Sequence, residues 1–247
     1  MRPCSGLVKV PPERLHFNPK AVAGRLEPMF ARRLPKAILW DLDGTLIDSE
    51  PYWMKSEIEL ATRHDFDWTE EDGKSLVGMA LKDSAKIMGE RFGVELDTEA
   101  TVQELTDSVT AQLRKEIPWR PGAQELLREM RRRGVKTALV TMSLRRMALQ
   151  VVEAIPFDAF DVIVAGDDVV HGKPHAEPYL KAAALLGVEP HECVAFEDSI
   201  SGILSAEAAG TKAVGIPNVV RIPANPDRIL WPTLEGVRLK DLKNLFR

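Results

Sequence analysis

The chain has 247 residues, of which 45 % are hydrophobic and 28 % are charged, the balance of an ordinary globular protein. This length fits either one large domain or a core domain that carries a smaller inserted one. The formal net charge of −4 argues against a dedicated nucleic-acid binder, which normally shows a basic surplus. No pattern in the sequence identifies a protein partner.

The two cysteines, Cys4 and Cys193, lie far apart and outside any C-x-x-C pattern, so we expect neither a zinc site nor a disulfide framework. The apolar runs are all shorter than the ~20 residues that a membrane-spanning helix needs. Arg14, His16 and Lys20 interrupt the N-terminal stretch where a signal peptide would be apolar. These features together predict a cytoplasmic protein that is not attached to a membrane.

Residues 1–34 read as an irregular leader, because prolines interrupt them repeatedly and neither a helical nor an alternating period persists. The pattern changes at Lys36. From there, short apolar runs typical of strands buried on both faces of a parallel sheet alternate with helical patterns. The predicted strands are Ala37–Trp40, Lys136–Val140, Val162–Ala165, Glu192–Phe196 and Lys212–Ile216, and the predicted helices are Ala123–Arg133, Ser143–Ala154, Ala176–Leu186 and Ile200–Ala209. Such alternation predicts an α/β fold with an open, doubly wound parallel sheet.

One stretch interrupts this alternation. Between Asp48 and about Pro118 the sequence shows helical patterns and no convincing strand, the candidates being Tyr52–His64, Thr69–Ser75, Lys82–Phe92 and Thr98–Ile117. We therefore expect a helical cap domain at residues 51–118, inserted into an α/β core made of residues 35–50 and 119–247. Because ligands of open α/β sheets bind at the carboxyl ends of the strands, a cap inserted after the first strand would cover the active site.

The acidic motif Asp41-Leu-Asp43-Gly44-Thr45 follows the first predicted strand directly. Its two carboxylates project from the strand end toward one region, and Gly44 permits a tight turn whose backbone N–H groups can approach an anion. Asp41 can attack phosphorus, while Asp43 can protonate a leaving oxygen and later deprotonate a water molecule. An Asx-type turn with a capping aspartate explains one of these residues, but two buried carboxylates require a cation.

This motif, with its continuation Leu46–Pro51, resembles the first motif of the haloacid dehalogenase superfamily, in the phosphatase and phosphomutase branch that has a helical cap. Three further segments resemble the remaining motifs of that family, in the right order and at predicted strand ends: Leu139–Ser143, Gly172–Pro174 and Val194–Ser199. The resemblance covers roughly residues 36–217.

The resemblance implies a Mg²⁺-dependent enzyme in which Asp41 is the nucleophile and Asp43 the general acid and base. It implies that the Thr141 hydroxyl, the Met142 amide and Lys173 bind the transferring phosphoryl group. Mg²⁺ would be held by Asp41, the backbone carbonyl of Asp43 and Asp198, with Glu197 binding directly or through water.

Simpler roles exist for several of these positions. Thr141 belongs to a segment that can simply start a helix, for which Ser143 is itself a suitable N-cap. Asp198 could likewise be a plain helix cap. The acidic pair Asp167–Asp168, at the end of the third predicted strand, is interpreted as structural or as support for Lys173.

Within the family, the aspartate at position 43 favours phosphoryl transfer over dehalogenation. Residues Val77–Ser84 resemble the specificity loop of the β-phosphoglucomutase branch, but Leu81 replaces its phosphate-binding arginine and Trp53 its hinge histidine. We therefore expect a phosphatase that acts on a small phosphorylated metabolite, such as a sugar phosphate or a phosphoglycolate-like compound. The alternatives are a sugar phosphomutase and a non-enzymatic phosphate-binding protein. Trp53 and Lys82 are the candidate substrate contacts from the cap.

Overall fold

The computed structural model describes residues 34–226 and 228–246. The predicted leader therefore lies outside the described residues, apart from Leu34. Six parallel strands form one sheet in the order β3-β2-β1-β4-β5-β6. The strands are β1 (Ala37–Trp40), β2 (Lys136–Val140), β3 (Val162–Val164), β4 (Cys193–Glu197), β5 (Lys212–Gly215) and β6 (Ile229–Leu230).

The described residues contain nine α-helices. Four precede β2 as an insert, namely α1 (Glu50–Arg63), α2 (Glu70–Lys74), α3 (Leu81–Phe92) and α4 (Thr98–Leu113), and five belong to the sheet's layers: α5 (Ala123–Arg132), α6 (Arg145–Glu153), α7 (Glu177–Leu186), α8 (Ile200–Ala208) and α9 (Leu239–Lys243). None of these helices combines the length and the apolar character needed to cross a membrane.

The central strand β1 is apolar throughout because both of its faces are covered, and all four of its residues are fully buried. Since side chains alternate along a strand, Ile38 and Trp40 join the apolar cluster that contains α5, α6 and α9. Ala37 and Leu39 join the opposite cluster with α7 and α8. Helices thus pack on both faces, and the predicted doubly wound α/β sheet is confirmed.

The insert is connected to the core through two neighbouring chain segments. The Asp48 N–H donates to the Pro118 carbonyl at 2.7 Å, and the Arg120 N–H donates to the Leu46 carbonyl at 3.0 Å. Both segments therefore leave and re-enter the core at the carboxyl end of β1. The division into separate core and cap domains stays a prediction, although four consecutive helices do lie between β1 and β2.

Three predicted helix bounds were wrong by two or more residues. Helix α1 begins at Glu50 instead of Tyr52. Helix α4 ends at Leu113 instead of Ile117, because the chain must leave the helix to pair Pro118 with Asp48. Helix α6 begins at Arg145 instead of Ser143. Strand β6 and helix α9 were not predicted, since segments of two and five residues are too short to show a period.

Candidate active site

Three strand ends meet at one edge of the sheet. Trp40 of β1 pairs in register with Leu139 of β2 and with Phe196 of β4, so the residues that follow these strands lie at one level. Asp41, Glu197 and Asp198 are consequently brought together, with one carboxylate oxygen of each lying within 4.8 Å of the others. The predicted acidic residues of the first and fourth motifs thus form one buried cluster.

Lys173 neutralises part of this cluster. Its Nζ lies 2.6 Å from Asp41 Oδ1, 2.6 Å from Glu197 Oε1 and 3.0 Å from the Val140 carbonyl. These three acceptors match the three donors of an ammonium group. Burial acts to lower the pKa of Lys173, but Asp41 and Glu197 outweigh it and raise the pKa, so the side chain stays protonated.

The nucleophile candidate Asp41 is nevertheless short of positive charge. Burial, together with the nearby carboxylates of Glu197 and Asp43, raises the pKa of Asp41 to about 8 although Lys173 lowers it. Burial and then the charge of Asp41 likewise raise the pKa of Asp198 well above its usual range. Such carboxylates ionise at neutral pH when a further cation lies beside them.

The arrangement of the oxygens fits a hard divalent cation. Asp41 Oδ2, Asp198 Oδ2 and Glu197 Oε2 are all buried and have no hydrogen-bond partner. The turn at Gly44, with φ of +80°, brings the backbone so close that an added Cβ would lie 2.0 Å from Asp198 Oδ2. Buried carboxylate oxygens without donors are the ligands that Mg²⁺ and similar ions take. The cluster can therefore hold a divalent metal.

The side chain of Asp43 lies apart from this cluster, among four hydrogen-bond donors. Its Oδ1 accepts from Ser49 Oγ at 2.6 Å and from Trp53 Nε1 at 3.0 Å. Its Oδ2 accepts from Ser143 Oγ at 2.7 Å and from Thr141 Oγ1 at 3.2 Å. Ser49 and Trp53 belong to the insert side, while Thr141 and Ser143 follow β2, so Asp43 connects the two parts of the molecule.

Two of these donors were not predicted as site residues. Ser143 was interpreted as a helix cap, but its hydroxyl binds Asp43, and Asp167 Oδ1 accepts from the Arg145 N–H at the start of α6 instead. Ser49 had no role in the sequence argument. Its position six residues after Asp43, at the start of α1, was the signal available.

The acidic pair Asp167–Asp168 has a structural role. Asp168 pairs with the Arg145 guanidinium and accepts from the Ala165 N–H at 2.7 Å, and Asp167 caps α6. This bears out the structural interpretation of the pair, whereas the suggested support for Lys173 is absent: the three acceptors at its Nζ are Asp41, Glu197 and Val140.

Tyr179 and Gly202 were also missed, and both position Glu197. The fully buried Tyr179 hydroxyl donates to Glu197 Oε1, the same oxygen that Lys173 contacts. At Gly202 an added Cβ would lie 1.8 Å from Glu197 Oε2. Both residues lie on the helices that follow the third and fourth motifs, and the sequence offered no feature that connects them to Glu197.

A cavity between the insert and the strand ends encloses the site. Asp41, Asp43, Trp53, Met142, Lys173 and Asp198 all line it. The cavity has a volume of about 60 Å³, whereas one water molecule needs ~10–15 Å³. A phosphate group with a small organic substituent fits such a space.

Two predicted site residues have contacts that do not involve the acidic cluster. Met142 lines the cavity, and its Sδ accepts from the Lys173 N–H at 3.2 Å. Lys82 is not among the residues that line the cavity; it lies on an adjoining groove and pairs with the exposed Glu99. Because Met142 and Lys173 line this groove as well as the cavity, the contact between Lys82 and substrate stays a prediction.

Comparison with known proteins identifies the family. The sequence pattern of the haloacid dehalogenase-like hydrolases matches residues 35–210. The chain belongs to this family. The resemblance seen in the four motifs is therefore confirmed.

Relatives and solved structures of the family agree with the geometry. The chain is 32 % identical over 183 residues to a phosphorylated carbohydrates phosphatase of Thermotoga maritima, covering 72 % of this chain and 83 % of the relative. It is 34 % identical over 203 residues to hexitol phosphatase A of Escherichia coli, covering 78 % and 87 %. The structure of CbbY from Rhodobacter sphaeroides with xylulose-(1,5)-bisphosphate superimposes with a TM-score of 0.75 at 26 % identity, covering 83 % of this chain and 96 % of CbbY.

The expected enzyme class is confirmed by the family match together with these phosphatase relatives. The chain is a haloacid dehalogenase-like hydrolase, and these two relatives are named as phosphatases. Its relatives thus disfavour the non-enzymatic alternative.

Proposed function

We propose that this hydrolase is a Mg²⁺-dependent phosphatase that cleaves a small phosphomonoester, such as a sugar phosphate, by transferring its phosphoryl group to Asp41. One observation supports this most directly. Asp41 Oδ1 is held by Lys173, while Asp41 Oδ2 has no partner and belongs to a residue that lines the cavity. A buried carboxylate with one oxygen fixed and the other free is oriented for attack.

In the first step the free oxygen of Asp41 attacks phosphorus and the bond to the leaving oxygen breaks. Lys173 reduces the repulsion between the Asp41 carboxylate and the anionic ester, since its ammonium lies 2.6 Å from Oδ1. The carboxylates of Asp41, Asp198 and Glu197 would hold Mg²⁺, which when bound would offset their negative charge and stabilise the charge that develops on the phosphoryl oxygens. The product of the step is an aspartyl-phosphate.

Asp43 supplies and removes the protons. In the structure it accepts four hydrogen bonds, from Ser49, Trp53, Thr141 and Ser143. To protonate the leaving alkoxide, Asp43 must take up a proton and leave some of these donors. After the alcohol departs, its carboxylate takes a proton from water, which attacks phosphorus, breaks the bond to Asp41 and releases phosphate.

The relatives support the proposed substrate class, because one is named for phosphorylated carbohydrates and another for hexitols. The small cavity supports a substrate of metabolite size. A phosphoglycolate-like substrate, the other expected class, would place a carboxylate at the end of the cavity away from Lys173.

The test is hydrolysis of p-nitrophenyl phosphate by the purified chain with Mg²⁺ and with EDTA. We expect Mg²⁺-dependent turnover that EDTA abolishes and that Asp41→Asn removes. Asp67→Asn serves as the matched control, because Asp67 is an exposed residue of the insert. Acid-quenched wild-type protein should also show a mass gain of one phosphoryl group on the peptide that contains Asp41. Full turnover by the Asp41→Asn protein, or turnover that EDTA leaves intact, would refute the proposal.

A further inference from the structure

Helix α1 presents an acidic face to the active-site cavity. Glu50, Trp53, Met54 and Glu57 all line the cavity. Their spacing of i, i+3, i+4 and i+7 places them on one side of the helix. Trp53 binds the general-acid candidate Asp43, which leaves Glu50 and Glu57 as the charged groups that the insert offers to a ligand.

Neither of these two carboxyl groups forms an ion pair with any residue in the described part of the chain. Glu57 is 7 % exposed and accepts one hydrogen bond, from Trp68 Nε1 to its Oε2 at 3.1 Å. The Glu50 side chain makes no hydrogen bond or ion pair with the described residues. Burial, followed by the charges of Asp43 and Glu57, raises the pKa of Glu50 to about 8, and burial raises the pKa of Glu57 to about 7.

The basic residues of the insert are used elsewhere. Within the described part of the chain, Lys173 is the one lysine or arginine that lines the cavity, and it is bound to Asp41 and Glu197. Lys82 pairs with Glu99, and Arg91 pairs with Asp72 at 2.6 Å, both outside the cavity lining. Among the residues that line the cavity, the phosphate end thus carries the one cation, Lys173, whereas the ionisable groups on the insert side are carboxyl groups.

We propose that Glu50 and Glu57 determine substrate specificity, by accepting hydrogen bonds from hydroxyl groups on the organic part of the substrate and by excluding a second anionic group there. The proposal rests on the function proposed above, because it assumes that the phosphoryl group lies at Asp41 and Lys173. The enzyme would then hydrolyse the monophosphates of small polyols and reject bisphosphates and phosphorylated carboxylic acids.

The physical reason is an asymmetry between the two kinds of substrate. A hydroxyl group is a donor that satisfies a buried carboxylate, and such charge-assisted hydrogen bonds are strong. Above about pH 8, where both carboxyl groups are ionised, a carboxylate or second phosphate placed there meets two like charges across a short, poorly screened distance. A phosphomutase that works through an aspartyl-phosphate forms a bisphosphate of its sugar. The acidic face of α1 would repel the second phosphate, which also argues against the mutase alternative.

The experiment compares substrates that differ only in the group that would face Glu50 and Glu57. Sorbitol 6-phosphate is compared with 6-phosphogluconate, and glycerol 3-phosphate with 3-phosphoglycerate, by phosphate release with Mg²⁺ at about pH 9, where both glutamates are ionised. Each pair replaces a terminal alcohol by a carboxylate at nearly constant size. We expect kcat/KM to favour the alcohol of at least one pair by about 100-fold.

Variants test whether Glu50 and Glu57 cause the preference for alcohols over carboxylates. Glu50→Gln and Glu57→Gln should each narrow this ratio by about 10-fold, since an amide can donate to a carboxylate. Glu59→Gln, on the same helix but exposed beside Lys55, should leave the ratio unchanged. Hydrolysis of p-nitrophenyl phosphate, which has no hydroxyl group, reports on the phosphoryl-transfer machinery separately.

Three results would overturn the specificity proposal while p-nitrophenyl phosphate is still hydrolysed: equal or faster cleavage of the carboxylates, no cleavage of either alcohol, or the same ratio in both glutamine variants as in wild type. The wild-type ratio alone decides the matter if a variant fails to fold. Absence of Mg²⁺-dependent p-nitrophenyl phosphate hydrolysis would instead refute the function on which the proposal rests.

Discussion

Replacement of Glu57 by glutamine should stabilise the folded protein, and more so at high pH. Glu57 lies on α1 with 7 % of its surface exposed, and burial raises its pKa from 4.5 to about 7. Between these two values the folded state holds more protons than the unfolded state, so the free energy of unfolding falls as the pH rises. Below pH 4.5 the carboxyl group is neutral in both states and the penalty is absent.

The magnitude follows from the size of the shift. A change from 4.5 to about 7 corresponds to about 3 kcal/mol once the pH exceeds both values. At pH 5 less than about 1 kcal/mol of this has accumulated. Glutamine removes the charge and can still accept from Trp68 Nε1 through its amide oxygen. We therefore expect Glu57→Gln to gain about 2 kcal/mol more at pH 8 than at pH 5.

The assay is thermal or urea unfolding of wild type and Glu57→Gln at pH 5 and pH 8, with EDTA present so that metal binding does not contribute. A difference of about 2 kcal/mol corresponds to roughly 6 °C in Tm for a protein of this size. Glu59→Gln, which is exposed on the same helix, controls for the loss of one negative charge. If Glu57→Gln changes the free energy of unfolding by the same amount at both pH values, the reasoning is refuted, because the pKa of Glu57 is then the same in the folded and unfolded protein.

Three further predictions concern individual residues of the core. Asp43→Asn should give a burst of about one equivalent of p-nitrophenolate and then turnover about 100-fold slower than wild type, because this leaving group needs no proton but the second step needs a base. Stopped-flow absorbance measures the burst, and a wild-type rate without a burst would contradict the prediction. Gly202→Ala should lower Tm and phosphatase activity, although alanine favours helices, since its Cβ would lie 1.8 Å from Glu197 Oε2. Thermal unfolding and p-nitrophenyl phosphate hydrolysis measure the two effects, and an unchanged Tm together with unchanged activity would contradict the prediction. Cys193 should react with a thiol reagent only after unfolding, because the residue is fully buried and burial raises its pKa to about 12. Mass mapping shows whether the peptide that contains Cys193 is labelled, and labelling in the folded state would contradict the prediction.

The sequence alone predicted the sheet and the residues that meet at its edge. Each of the strands β1 to β5 is a local apolar run, and burial on both faces of a parallel sheet requires such runs. Asp41 and Asp198 directly follow strands β1 and β4, and parallel strands bring their carboxyl ends together whatever the rest of the chain does. Lys173 lies in the loop after β3, and the family resemblance predicted its role. These features depend on neighbours in the sequence, so a pattern can reveal them.

The contacts between the insert and the core were decided by the tertiary structure. Asp43 receives hydrogen bonds from Thr141 and Ser143, which are 98 and 100 residues away in the chain, and from Trp53, which had been assigned to the substrate. The insert directs Glu50 and Glu57 into the cavity, whereas Lys82 pairs with Glu99 on an adjoining groove. Helical periodicity shows that such residues share a face, but which face meets the strand ends depends on how distant segments pack. Asp41 and its strand could therefore be predicted from the local sequence pattern. The surroundings of Asp43 and the acidic face of α1 became apparent only in the folded molecule.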